Sequence, residues 1–243
     1  MQTDEFISSI FQSKDEELDK LREGLPLGQD LAGNVTLARK TQRLLAYRFT
    51  CVTGEARSEY IRRLILSLAC LYDKYEACFL VLSPRREYGE LLQFRYMDVT
   101  VPYVREKQDL ENARKTLKEL LQMRSVGRGY PKLFLVLDGL EELPDCNADG
   151  EFEEYRSFFD LIARRMDVDV IGGVDLQKSI YSGLPGVFIG VGNCLVNVRE
   201  DGKADVSYVN DSATLSESIS VRIPDSPEIG QTIEYLNKSG PKD

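Results

Sequence analysis

The residues of this chain with the spacing to do chemistry lie in Cys51-Val-Thr-Gly-Glu-Ala-Arg-Ser58. Before them runs a short apolar stretch, Phe49 to Val52, and after them Ile61, Leu64, Ile65, Leu68 and Leu71 recur every three or four residues. The pattern predicts a buried strand, a tight turn at Thr53-Gly54 and a long helix with one core-facing side. That is the outline of a phosphate-binding loop, which reads G-x-x-x-x-G-K-[ST]. Its glycines let backbone N–H groups wrap the phosphates, its lysine meets the β and γ phosphates, and its hydroxyl holds Mg²⁺. With Thr53-Gly54 in register, the first glycine falls on Cys51, the second on Ala56 and the lysine on Arg57, while the hydroxyl survives as Ser58. The candidate nucleotide-facing residues are therefore Thr53, Gly54, Glu55, Ala56, Arg57, Ser58 and Glu59. By itself the stretch is more simply an ordinary strand-turn-helix unit, and the loop gains its support from a second motif some 80 residues along the chain.

Leu133 to Asp138 has the form of a Walker B strand, an apolar run ending in a carboxylate that would reach Mg²⁺ through water, so Asp138 joins the candidate site. In an active ATPase of this kind the next residue is usually a glutamate that orients the attacking water, and here it is Gly139. Glu141 and Glu142, a turn further on, read more simply as helix-cap or solvent residues than as displaced bases. A charge-assisted hydrogen bond is worth about 1.5–3 kcal/mol, so loss of the lysine weakens nucleotide binding by roughly 10- to 150-fold. A missing general base removes a further ~10²- to 10⁴-fold in rate. Weak binding is compatible with these residues, and useful turnover is not. Arg57, wider than lysine and always charged, is expected to pair with Glu55, Glu59 or Asp138 and so fill the cradle.

The elements that must position these groups alternate. Ala77 to Leu82, Tyr96 to Val101, Lys132 to Leu137 and Val168 to Ile171 read as strands of a parallel sheet. Leu110, Ala113, Leu117, Leu120 and Leu121 mark a helix, and Phe152, Tyr155, Phe158, Phe159, Ile162 and Met166 another. The order predicts an α/β fold with helices on both faces of the sheet. Short β pieces flank it: a hairpin from Leu25 to Leu37 at the front, then Val187 to Ile189, Cys194 to Val198, Val206 to Val209 and Ile219 to Ile223 behind, with a turn at Asp201-Gly202. Residues 1–24 carry an amphipathic pattern that suits leaning helices or a linker, and 25–240 is expected to be a single domain.

Composition closes several doors. Across 243 residues there is no histidine, which removes Ser-His and Cys-His nucleophiles and His-based zinc sites. No cluster of a metal site or a catalytic set replaces them, so an unrelated small-molecule enzyme is the least favoured reading. Five cysteines without a C-x-x-C, mostly inside apolar runs, suit buried free thiols rather than a disulfide framework. The net charge of −9 argues against a general nucleic-acid surface, although Arg39, Lys40, Arg43, Arg48, Arg57, Arg62 and Arg63 gather around the loop. The apolar runs are far shorter than the roughly 20 residues of a membrane span, and no basic-then-apolar leader opens the chain, so a cytoplasmic location is expected.

In this order of parts the chain resembles the FtsK/SpoIIIE-like P-loop ATPases: LPLGQDLAG before the loop, TGEARS at it, LILSL in its helix, LVLDGLEEL at Walker B and VIGGVDLQKSIYSGLP where those proteins carry a sensor strand. The helix ending LKELLQMR, followed by YPKLFLVLD, is most similar to the C-terminal ATPase modules of type VII secretion coupling proteins (EssC/EccC). The likeness runs from about Leu25 to about Val198. It implies a P-loop NTPase-like fold of the RecA/FtsK type, mostly parallel, with small β additions at both ends. The departures matter equally: besides the loop lysine and the base, the sensor strand's usual Thr-Gln pair is replaced by Gly173, Val174 and Asp175. The resemblance then implies a module without hydrolysis, with no cofactor or only weakly bound ATP and Mg²⁺, that docks or regulates. Its implied partners are other ATPase modules of the motor and secreted helical-hairpin proteins, with any membrane attachment made through a longer parent chain. The rival within the family is an ATP-dependent DNA translocase, which needs the intact lysine and basic pore loops. Any partner surface is expected as an apolar patch beside the loop.

Overall fold

The computed structural model describes residues 21–32, 35–39, 49–95, 97–126, 129–143, 153–162, 165, 167–175, 194–209, 215–223, 233–234 and 237–238. The amphipathic segment before residue 21, the expected strand at Val187 to Ile189, and Cys146 lie outside them. Among the described residues ten strands form one sheet: β1 (Gly24–Gln29), β2 (Val35–Arg39), β3 (Phe49–Thr53), β4 (Ala77–Leu82), β5 (Asp98–Thr100), β6 (Lys132–Asp138), β7 (Val168–Gly173), β8 (Cys194–Val198), β9 (Lys203–Tyr208) and β10 (Ile219–Arg222). Their order across the sheet is β2-β1-β10-β9-β8-β3-β7-β6-β4-β5. From β8 to β5 every neighbouring pair is parallel, and from β8 to β2 every pair is antiparallel. The β additions from the two ends of the chain thus meet on one side, where β1 pairs with β10.

The parallel strands are apolar on both faces because both faces are covered. Along β6, Phe134 and Val136 point into a core with α1 (Arg57–Leu71), whose Ile61, Leu64, Ile65 and Leu68 cover that side. Leu133, Leu135 and Leu137 point the other way, against Leu110, Ala113, Leu117 and Leu121 of α2 (Lys107–Val126) and Phe158, Phe159 and Ile162 of α3 (Glu153–Ile162). The strand period of two therefore sorts one run of residues into two cores, as the α/β alternation predicts. A 3-10 helix at Arg86–Gln93 follows β4 and buries Tyr88 and Leu91.

β3 departs from the expected loop at one point that matters for the site. The position of the loop's first glycine, Cys51, is in mid-strand, opposite Gly172 on β7 and Leu195 on β8, and is 2% exposed. The strand continues through Val52 and Thr53, which pair with Gly173 and Asn197. Val52 is committed to both ladders and Thr53 to that of β8, and backbone held in this way cannot also wrap an anion, so only Gly54, Glu55 and Ala56 remain for the turn. Arg57 N–H closes that turn onto the Gly54 carbonyl at 3.3 Å.

Candidate functional site

The N-terminus of α1 and the C-terminal ends of β3, β4, β6 and β7 converge at one edge of the parallel strands, and there three of the expected residues meet. Arg57 is buried and donates from Nε to Asp138 Oδ1 at 3.1 Å. Its Nη2 reaches Glu141 Oε1 and Glu142 Oε1, both at 3.0 Å. Ser58 Oγ donates to Asp138 Oδ2 at 2.6 Å, and the Tyr88 hydroxyl donates to the same oxygen at 2.9 Å. Asp138 has no exposed surface, and both of its oxygens are engaged by side chains of its own chain.

A second guanidinium completes the cluster. Arg85 Nη1 donates to Ser58 Oγ at 2.6 Å, its Nε to Glu142 Oε2 at 3.1 Å, and its Nη2 to Glu142 Oε1. Glu141 is buried and also accepts the Asp175 backbone N–H at 2.9 Å, tying the end of β7 to the turn after β6. Burial works against the charge on Arg57, but the Asp138 and Glu141 carboxylates outweigh it and hold its pKa above the ordinary arginine value. Burial likewise opposes the charge on Arg85, and the Glu142 hydrogen bond and Asp138 reverse the sign. Burial and then the Asp138 charge push the Tyr88 phenol well above its usual pKa, so it serves as a donor at any ordinary pH.

The remaining expected residues do not join this cluster. Glu59 is exposed and pairs with Arg63 one turn along α1, not with Arg57. Glu55 is exposed at the turn, and Gly54 presses against β8, where a Cβ would fall 2.1 Å from the Val198 carbonyl oxygen. Thr53 is buried in the sheet. Ala56 and Glu59 line a separate cleft of about 410 Å³ with Arg63, Arg199, Glu200 and Asp201. Among the described residues this cleft beside the loop is of mixed charge, since the end of β8 and the β8–β9 turn bring charged side chains there.

Glu141 and Glu142 correct the reading that made them cap or solvent residues: the 3-10 turn at Leu140–Glu142 points both at Arg57. The acidic pair behind the Walker B strand was the available signal. Arg85 and Tyr88 carried none, because they arrive from the segment after β4. Gly139 has φ +71° and ψ 21°, left-handed backbone that glycine holds without strain. Position 139 therefore could not simply accept the missing glutamate. Cys51, Cys78 and Cys194 are buried free thiols and Cys70 is half-buried, as the apolar surroundings predict.

A central strand running through a tight turn into a covering helix, with an acidic strand end two places across the sheet, defines a P-loop NTPase-like α/β domain. Solved structures similar to it include ATPase domains of type VII secretion. The chain aligns over 97% of its length with the cytoplasmic domain of the type VII secretion ATPase EccC of Thermomonospora curvata, at TM-score 0.62 and 15% identity, covering 33% of that chain. EssC ATPases 2 and 3 of Geobacillus thermodenitrificans match over 89% of this chain and 49% of theirs, at TM-score 0.58 and 13% identity. T. curvata EccC ATPases 2 and 3, in complex with a signal sequence peptide, match at TM-score 0.54 and 15% identity over 90% of this chain and 48% of that one. The chain thus spans a third to a half of the solved chains it resembles. No protein-family model matches the sequence, and no curated protein sequence does. Among the described residues no helix is long and apolar enough to cross a membrane.

Proposed function

We propose that this chain is a non-hydrolysing, FtsK-like module of a type VII secretion motor that docks substrate or regulates neighbouring ATPase modules. The observation that carries the proposal is the engagement of Asp138 and Ser58, the two groups that would hold Mg²⁺. Asp138 offers no lone oxygen, since Arg57, Ser58 and Tyr88 use both. Arg57 turns toward three carboxylates. The strand before the turn stays paired through Val52 and Thr53, and the turn carbonyls of Gly54 and Ala56 accept the N–H groups of Arg57 and Tyr60. These residues do not fit Mg-ATP, and Gly139 supplies no base.

The fold shared with secretion ATPases supports the motor context, and the signal peptide bound to EccC supports a docking role for a module of this shape. Calorimetry should detect no micromolar binding of Mg-ATP, and a steady-state assay no ATP turnover above background. Turnover near ~1 s⁻¹, the low end of typical enzymes, overturns the proposal. Pull-down with a secreted helical-hairpin protein should retain the chain, whereas a shift of duplex DNA that collapses with added salt points to a translocase instead.

A further inference from the structure

Two members of the cluster, Arg85 and Tyr88, come from one short piece of chain between β4 and β5. Its body is the 3-10 helix Arg86–Gln93, in which only Tyr88 and Leu91 are buried. The i→i+3 hydrogen bonds of such a helix have poor geometry, so at 8 residues it is long for its kind and has little stability of its own. Gly89 weakens it further. Nothing lies within 4 Å of where its Cβ would stand and its backbone is not left-handed, so the glycine adds freedom to the open chain without serving the folded one. Between the ends the contacts with α1 are exposed: Arg62 Nη1 donates to the Glu87 carbonyl at 3.3 Å and stands 3.7 Å from Glu90 Oε2.

Side chains fix both ends of this piece. At one end Arg85 bonds Ser58 and Glu142, and Tyr88 bonds Asp138. At the other, Asn237 Nδ2 donates to the Gln93 carbonyl at 3.0 Å and Asn237 Oδ1 accepts the Arg95 N–H at 2.8 Å. Residues 233–234 and 237–238 are helical, and Ile233 is buried in the same core as Tyr88, Leu91 and Phe94. We propose that the piece from Arg85 to Arg95 is a strap over the cluster and that Asn237 is its latch. A weak element held at its two ends opens as a unit, so release of Asn237 at one end frees Arg85 and Tyr88 at the other. The helical residues around Asn237 thereby govern how firmly Asp138 and Ser58 are closed in. The latch does not depend on whether the site takes nucleotide.

Amide hydrogen exchange of the full chain tests the latch. Asn237→Ala should raise exchange at Tyr88 and Leu91, and at Glu142 in the turn that Arg85 holds, by one common factor of at least about fivefold, the lower end of ordinary coupling between sites. Coupling is reciprocal, so Tyr88→Phe should raise exchange at Arg95, whose N–H bonds Asn237, while Leu135 and Val136 of β6 stay unchanged. In either variant, a rise confined to the altered end would overturn the proposal. If a variant loosens the whole chain, exchange in β6 rises too, and Gly89→Ala then decides. That side chain enters open space and should slow exchange at Tyr88, Leu91, Arg95 and Glu142 together, by roughly two- to fivefold. Slowing at the immediate neighbours of residue 89 alone overturns the latch, and slowing that reaches Arg95 and Glu142 upholds it.

Discussion

Arg57 illustrates how one buried guanidinium can hold a cluster of carboxylates together. Transfer of a guanidinium or carboxylate out of water carries a desolvation penalty of several kcal/mol per ion, which only close pairing and further hydrogen bonds offset. Arg57 satisfies that condition with three carboxylates, and Asp138 with Arg57, Ser58 and Tyr88. Such a cluster contributes little net stability as a whole, yet removal of one member strands the others. Arg57→Ala should therefore destabilise the fold by about 3–5 kcal/mol in urea denaturation, leaving Asp138 and Glu141 buried without their cation. Arg57→Lys should recover only part of this loss, because a single ammonium cannot reproduce a fork that reaches Asp138 and Glu141 in different directions. Neither change should produce ATP binding, since Val52 and Thr53 stay in the ladders of β7 and β8. A cradle is a property of backbone, and a side-chain exchange does not release it.

At the scale of elements the close approaches between strand ends hold the cluster in shape. A Cβ at Gly173 would lie 2.0 Å from Asp138 Oδ1 and 2.8 Å from Ile61 Cδ1. Gly173→Ala must then push Asp138 or α1 away, and a loss of about 1–3 kcal/mol is expected from overpacking. Amide exchange at Tyr60 and Ile61 should rise with it if the damage passes through α1, whereas unchanged stability would show the β7 end to be softer than these distances require. The missing base can be tested in the same way. Gly139→Glu places a Cβ in left-handed backbone and against Arg85, costing roughly 1–2 kcal/mol in backbone strain alone. It should lower stability without any gain in ATP hydrolysis, and measurable turnover would show that the glutamate had found a productive place.

At the scale of the molecule the described residues form one sheet with a core on each face, and buried thiols and phenols in those cores bear on its response to pH. Burial pushes the Cys51 thiol up, with Cys194 and Glu141 adding to it, and raises Cys194 to about 12; it also raises Tyr60 and Tyr88 well above the ordinary phenol value. These groups keep their protons in the native state and lose them in the unfolded chain at about 9.0 for the thiols and 10.0 for the phenols. Raised folded values mean that the contribution is whole below pH 9 and is lost as pH rises past those unfolded values. Each group removes about 1.4 kcal/mol per pH unit once its unfolded form ionises. The urea midpoint should therefore hold to pH 9, fall beyond it and fall more steeply above pH 10. In the double change Cys51→Ala and Cys194→Ala the fall between pH 9 and 10 should be shallower but not absent, since burial also raises the Cys78 thiol, and a midpoint of the unaltered chain that is flat from pH 8 to 10.5 would contradict the burial of these groups.

The sequence by itself determined what depends on local period and local chemistry. The apolar runs at β4, β6 and β7, the three- and four-residue spacing in α1 and α2, and the turn at Asp201-Gly202 are set by contacts within a few residues, so each was legible without a structure. Arg57, Ser58 and Asp138 were legible for a similar reason, since a motif marks them by spacing even when its own residues have changed. Three matters were decided only in three dimensions. Pairing of β3 on both edges drew Val52 and Thr53 into the sheet and shortened the turn, which no window around Cys51 could show. The parallel order β3-β7-β6-β4 carried Arg85 and Tyr88, 27 and 30 residues beyond Ser58 in the chain, to within hydrogen-bonding distance of Ser58 and Asp138. The left-handed turn at Gly139 aimed Glu141 and Glu142 inward, where their charge meets two guanidiniums instead of water. Strand pairing and desolvation act between residues distant in sequence, and for that reason the filled site belongs to the fold and only its outline to the motif.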